Sequence, residues 1–195
     1  MKLKTILFVS LSVLAIFIIY ILNTDNKIYY VNISSKDINY NHLIKTDFQK
    51  NNRLEKYINY QLRDYRVTDL INDINSNNTI NENQTIQNAL IKADILTLKI
   101  GDDELKYKAS EKNMDNLFEY CDELIEDLNK LFELIRVYDK EKIYFLGLNN
   151  TNSEYYDEIY DYLNIRIKSL CSKYNIYFIQ ENDDYIIKDK IIKNK

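Results

Sequence analysis

The sequence predicts a three-layer α/β/α sandwich built on a parallel sheet, and three observations carry that expectation. Short apolar, β-branched runs alternate along the chain with longer stretches of helical periodicity, the pattern of successive βαβ units. Residues 93–105 form an apolar run closed by Gly101, one of only two glycines, and followed by the carboxylates of Asp102, Asp103 and Glu104. Such a run reads as a buried strand opening into a polar loop, the end of a parallel sheet at which ligands bind. Finally, 195 residues with 46% hydrophobic content and 18 tyrosines suit one folded domain with a sizeable core.

Residues 1–24 stand apart from that domain. Lys2 and Lys4 precede an uncharged, Leu-, Ile-, Val- and Phe-rich stretch at residues 5–24, long enough to cross a bilayer as a helix. Its end, Ile18 to Leu22, lacks the small residues that a signal peptidase requires, which favours an uncleaved anchor. The amino terminus is then held in the cytoplasm and the domain, residues 25–195, lies outside the cell membrane.

Within the domain, residues 27–33 read as the first strand, residues 34–37 as a turn and residues 38–51 as a helix. Residues 54–62 are ambiguous, although Tyr57, Ile58 and Tyr60 allow a short strand. Val67, Leu70, Ile71 and Ile74 have the spacing of one helix face. Residues 76–83 read as an asparagine-rich loop and residues 84–92 as a short helix that leads into the central strand. The clearest helix covers residues 113–138, where Leu117, Cys121, Leu124, Leu128, Leu131 and Ile135 recur at three and four residues. Residues 142–148 form the next strand, and Thr151 with Glu154 fits a capping box for a helix that runs to Lys173. Residues 175–180 form the last strand, ahead of an acidic turn and a lysine-rich tail.

Charge and composition remove several function classes. The formal charge of −4 is near −6 once Lys2 and Lys4 are set aside, and no run of Lys or Arg supplies the basic face that nucleic acid needs. Cys121 lies on the apolar stripe of its helix and Cys171 follows Leu170, so both read as buried thiols rather than a disulfide. Two thiols fifty residues apart and a single histidine, His42, do not make a metal set. His42 reads as an ordinary helix residue, yet any mechanism that needs a histidine base has to use it. No cofactor motif is present.

The segment from Ala93 to Leu105 resembles the SGNH, or GDSL-like, hydrolases, in which a central strand ends in a Gly-x-Asn-Asp block. Asp103 stands where that block has its asparagine and Glu104 where it has its aspartate. Residues 65–74 and 85–94, the long helix, the strand ending at Gly147 and the last strand carry the resemblance across nearly the whole domain. It implies a flavodoxin-like order of strands and ester hydrolysis by a serine, a histidine base and an oxyanion hole.

At the family's site positions the sequence departs from that chemistry. Lys36 occupies the nucleophile position, Asp64 stands where a glycine is expected before Tyr65, and Asp184 to Ile187 corresponds to the Asp-x-x-His signature, which leaves Ile187 at the base position. Isoleucine cannot accept a proton, and an unassisted hydroxyl is a weak nucleophile. Loss of one oxyanion donor costs about 10²–10³ in rate, and carboxylates at Asp64 and Asp103 would repel the developing charge. The resemblance therefore implies a catalytically inactive binding or interaction module at the cell surface, with a carbohydrate, acyl or peptide ligand. The alternative is a divergent serine esterase acting on acylated envelope material through Ser34 or Ser35, with Lys36 or His42 as substitute base. Asp64, Asp102, Asp103, Glu104 and Asp184 converge on one edge in this alignment and read as a solvated acidic rim rather than a metal site. An ion pair of Lys36 with Asp64 or Asp103 is expected there.

Overall fold

The computed structural model of the chain describes residues 12–14, 27–36, 38–81, 84–104, 117–138, 142–149, 157–180 and 183–193. Most of the expected anchor at residues 1–24, and the Thr151 to Glu154 capping box, lie outside the described residues. Among the described residues no helix is long and apolar enough to cross a membrane.

In chain order the elements are β1 (Ile28–Ser34), α1 (Asn39–Lys50), β2 (Leu54–Gln61), α2 (Val67–Ser76), β3 (Thr79–Asn81), β4 (Gln84–Thr85), α3 (Ile86–Lys92), β5 (Ile95–Lys99), α4 (Leu117–Arg136), β6 (Ile143–Leu146), α5 (Asp157–Lys173), β7 (Tyr177–Ile179) and α6 (Asp184–Lys193). Five of the strands pair in parallel in the order β2-β1-β5-β6-β7. Counted along the sheet, this is the flavodoxin-like order, with a switch point between β1 and β5 where the chain leaves β1 in both directions. The ambiguous residues 54–62 are the edge strand β2, aligned so that Tyr30 of β1 lies between Tyr57 and Ile95.

Side-chain alternation along the strands divides the interior into two cores. Val31, Ile33, Leu96, Leu98 and Phe145 pack with α2, α3, α4 and α5 in the larger one. Tyr30, Ile95, Tyr144 and Leu146 pack with Tyr40, Ile44 and Phe48 of α1 and with Ile187 and Ile191 of α6 in the smaller one. All six residues of the stripe expected on α4 are buried, joined by Tyr120 and Phe132. Cys121 and Cys171 are both buried and free, and burial pushes their thiols up to about 11 and about 12.

Two segments differ from the sequence expectation. The asparagine-rich stretch is not a plain loop: Asn77 takes a left-handed φ of 51°, and Thr79 then pairs with Thr85 in a small antiparallel hairpin. The lysine-rich tail is a helix, because Asp183 Oδ1 accepts the N–H groups of Tyr185 (2.8 Å) and Ile186 (3.2 Å). Ile187 and Ile191, one turn apart, then anchor that helix in the smaller core.

Candidate functional site

Three chain segments meet where β1 and β5 end. Ser35 N–H donates to the Lys99 carbonyl at 3.1 Å and Leu62 N–H to the Ser34 carbonyl at 3.2 Å. The ladder thus continues past β1 and aligns Ser35 with the end of β5. Ser34 is fully buried, with its hydroxyl accepting from Asn32 Nδ2 (3.1 Å) and donating to the Lys36 carbonyl (2.9 Å). Ser35 is 3% exposed and its hydroxyl has no hydrogen-bond partner.

A charged cluster fills the switch point. Lys99 closes β5 on the face of Ile95 and Thr97 and is buried. Its Nζ stands 3.1 Å from Asp102 Oδ2 and donates to the Gly147 carbonyl. Burial pushes the Lys99 ammonium below the ordinary lysine pKa, a shift that the Asp102 carboxylate opposes. Lys36 Nζ approaches the same oxygen at 3.7 Å, and Asp102 Oδ1 accepts the Asn149 N–H at 3.0 Å. Asp102 is fully buried, so its charge is compensated by the two lysines and a backbone amide rather than by water. Gly101 permits this geometry with a φ of +112°, a region that residues carrying a Cβ enter only under strain. Glu104 turns away from the cluster: its Oε2 accepts the Val67 N–H at 3.2 Å, a carboxylate at the N-terminus of α2.

Beside the cluster lies a polar cleft of about 460 Å³, lined by Leu148, Asn149, Asp157, Tyr160, Asp161, Asn164 and Gln180. The buried Asn164 amide clasps Leu148, accepting its N–H and donating to its carbonyl, both at 2.8 Å. The cleft floor, residues 147–149, is thereby held by Lys99, Asn164 and Asp102 together. A floor held at three points, beside the carboxylates of Asp157 and Asp161 on α5, can recognise a polar ligand with little loss of conformational freedom on binding.

The residues singled out in the sequence do not all assemble here. Lys36, Gly101 and Asp102 do. Asp64 is exposed in the loop before α2, with a left-handed φ of 57° at a position where the family resemblance expects glycine. Asp103 is half-buried, Asp184 opens α6, Ile187 is buried in the smaller core and His42 is exposed on α1. The ion pair of Lys36 is with Asp102, not with Asp64 or Asp103. The acidic edge is not a uniformly solvated rim either, because Asp102 is buried in ion pairs with Lys36 and Lys99 and Glu104 is buried and accepts the Val67 N–H. Sequence reading missed Lys99 and the cleft residues. Lys99 is the single charge in an otherwise uncharged strand, and positions 157, 160, 161 and 164 share one helix face; both are signals that spacing carries.

The fold is that of the SGNH/GDSL hydrolases. Similar solved structures include the acetyl xylan esterase AlAXEase, at 14% identity over 85% of this chain and 82% of that one, with a TM-score of 0.57. The acetylxylan esterase Axe2 of Geobacillus stearothermophilus matches at 14% identity over 87% and 81%, with a TM-score of 0.58. A GDSL-like lipase of Bacteroides thetaiotaomicron matches at 11% identity over 87% of each chain, with a TM-score of 0.54. No family model matches the chain, and no curated protein matches it in sequence. At these identities the likeness is one of fold, and function has to be argued from the site.

Proposed function

We propose that this chain is a membrane-anchored, extracytoplasmic binding module on an SGNH/GDSL hydrolase-like fold, without esterase activity, and that its ligand occupies the polar cleft beside β6. The carrying observation is the cluster at the switch point: Lys36 is engaged with a buried carboxylate, Asp102, where catalysis would need an activated hydroxyl. Ile187 in the core and His42 exposed on α1 supply no base to that edge. Among the three ligand classes, the lining favours a carbohydrate, since Asn149, Asp157, Asp161 and Gln180 offer donors and acceptors for hydroxyl groups. An acyl chain would need a predominantly apolar wall.

One observation favours the competing reading of a divergent serine esterase: the Ser35 hydroxyl is unpartnered beside the switch point. Its burial and the absence of a hydrogen bond from its hydroxyl to any base among the described residues weigh against it. Hydrolysis of short-chain p-nitrophenyl esters by the full chain in detergent, beside a Ser34→Ala/Ser35→Ala variant, separates the two readings. The expected result is equal, background-level turnover. Turnover lost in the variant overturns the binding-module reading and makes Ser34 or Ser35 the nucleophile.

A further inference from the structure

We infer that the sheet edge at which the parallel strands begin is a docking surface for an anionic phospholipid bilayer, and that the cleft edge consequently faces away from the membrane. This inference rests on the anchor reading of residues 1–24. Its first support is the distribution of charge. Lys50, Lys92, Arg136 and Lys173 stand in the last turns of α1, α3, α4 and α5, and Lys190 and Lys193 in that of α6. Lys27, Arg53 and Lys142 immediately precede β1, β2 and β6. In a parallel sheet the helix ends that feed the strands lie at the edge where the strands start, so these cations share one face. Acidic groups share that edge: Asp47 and Glu133 stand in the last turns of α1 and α4, Glu55 follows Arg53 in β2, Asp94 Oδ2 accepts from Tyr29 N at 2.7 Å, and Asp189 pairs with Lys188 and Lys193. Among the described residues the cations named outnumber these five acids. The opposite edge carries Asp69, Glu119, Asp157, Glu158 and Asp184 in the first helical turns. A net negative chain thus presents a basic end.

The second support is the tether. Only Asp25 and Asn26 separate the apolar run ending at Thr24 from Lys27, the residue before β1. Thr24 and Lys27 are three residue steps apart, at most about 11 Å when fully extended. That is comparable with the Debye length of about 8 Å at physiological ionic strength, so an anchored chain holds this edge close to the field of the headgroups. Exposed Lys50, Lys92 and Lys173 are then within reach of lipid phosphates, while the cleft beyond the ends of β6 and β7 opens outward.

The test reconstitutes the full chain into vesicles of phosphatidylcholine alone or mixed with phosphatidylglycerol, and measures acylation of each lysine by a membrane-impermeant reagent. The expected result is several-fold slower labelling of Lys50, Lys92 and Lys173 in the anionic vesicles, relieved by high salt, with Lys36 at the opposite edge unchanged. A Lys50→Glu/Lys92→Glu/Lys173→Glu variant, altered only at exposed positions, should lose the lipid dependence of labelling at Lys142. A chain retained by both kinds of vesicle and labelled equally in both overturns the docking surface while leaving the anchor in place. A chain that phosphatidylcholine vesicles do not retain overturns the anchor reading itself, and the docking surface with it.

Discussion

Asp73 ties the end of β2 and the loop carrying Asp64 to α2. Its Oδ2 accepts the hydroxyls of Tyr60 (2.6 Å) and Tyr65, and its Oδ1 the Asn78 amide at 2.5 Å. Burial works against its ionisation, but the three donors outweigh burial and hold the carboxyl below the ordinary aspartate value. Burial and the same carboxylate push the Tyr60 phenol up to about 12, and Tyr65 further. A depressed folded pKa contributes stability that is complete above the unfolded value of about 3.9 and is lost as pH falls through the lower folded value. Urea unfolding should therefore show Asp73→Asn costing about 1–3 kcal/mol near neutral pH and progressively less in acid, where the native carboxyl is itself protonated. An unchanged difference across that range would remove Asp73 from the acid limb.

The two lysines at the switch point make unequal contributions to the cluster. Lys99 is buried and stands 3.1 Å from Asp102, whereas the Lys36 side chain is 31% exposed and stands 3.7 Å away. Replacing Lys99 with Met strands a buried carboxylate, for which about 3–5 kcal/mol is the usual cost. Replacing Lys36 with Met removes a partly solvated partner and should cost about 1 kcal/mol or less. Equilibrium unfolding of the two variants checks the ranking, and equal losses would mean that the two lysines contribute equally to neutralising Asp102.

At the scale of the elements, α4 shows why periodicity predicts well. Its stripe at intervals of three and four survives in the fold because a 20-residue helix has room to repeat the signal. Leu128→Ala, at a fully buried position, should lower stability by about 2–5 kcal/mol. Ile165→Ser on α5, at a 71% exposed position, should change it by no more than about 0.5 kcal/mol. Thermal melts of the pair test whether the helices are oriented as described. Short elements were less legible. β3 and β4 span three and two residues, too few to show an apolar alternation. The helix α6 was hidden by its charge, since only Ile187 and Ile191 are buried and they meet a core formed by α1 and the sheet.

For the whole molecule, the sequence by itself determined the class of fold and the strands at the centre of the sheet, and it set the expectation that Lys36 and Ile187 stand where the resemblance has a nucleophile and a base. Those features are local: a run of β-branched residues, a helical repeat and the identity of a side chain can each be read without knowing what lies opposite. Tertiary structure alone decided that Lys36 and Lys99 share Asp102, that Asn164 and Asp102 hold the cleft floor, and that charges spread through the chain gather at opposite ends. Each helix carries acid near its start or base near its end, which offsets its own macrodipole locally. Only the parallel sheet, by aligning those helices, converts the local compensations into one polar axis across the molecule.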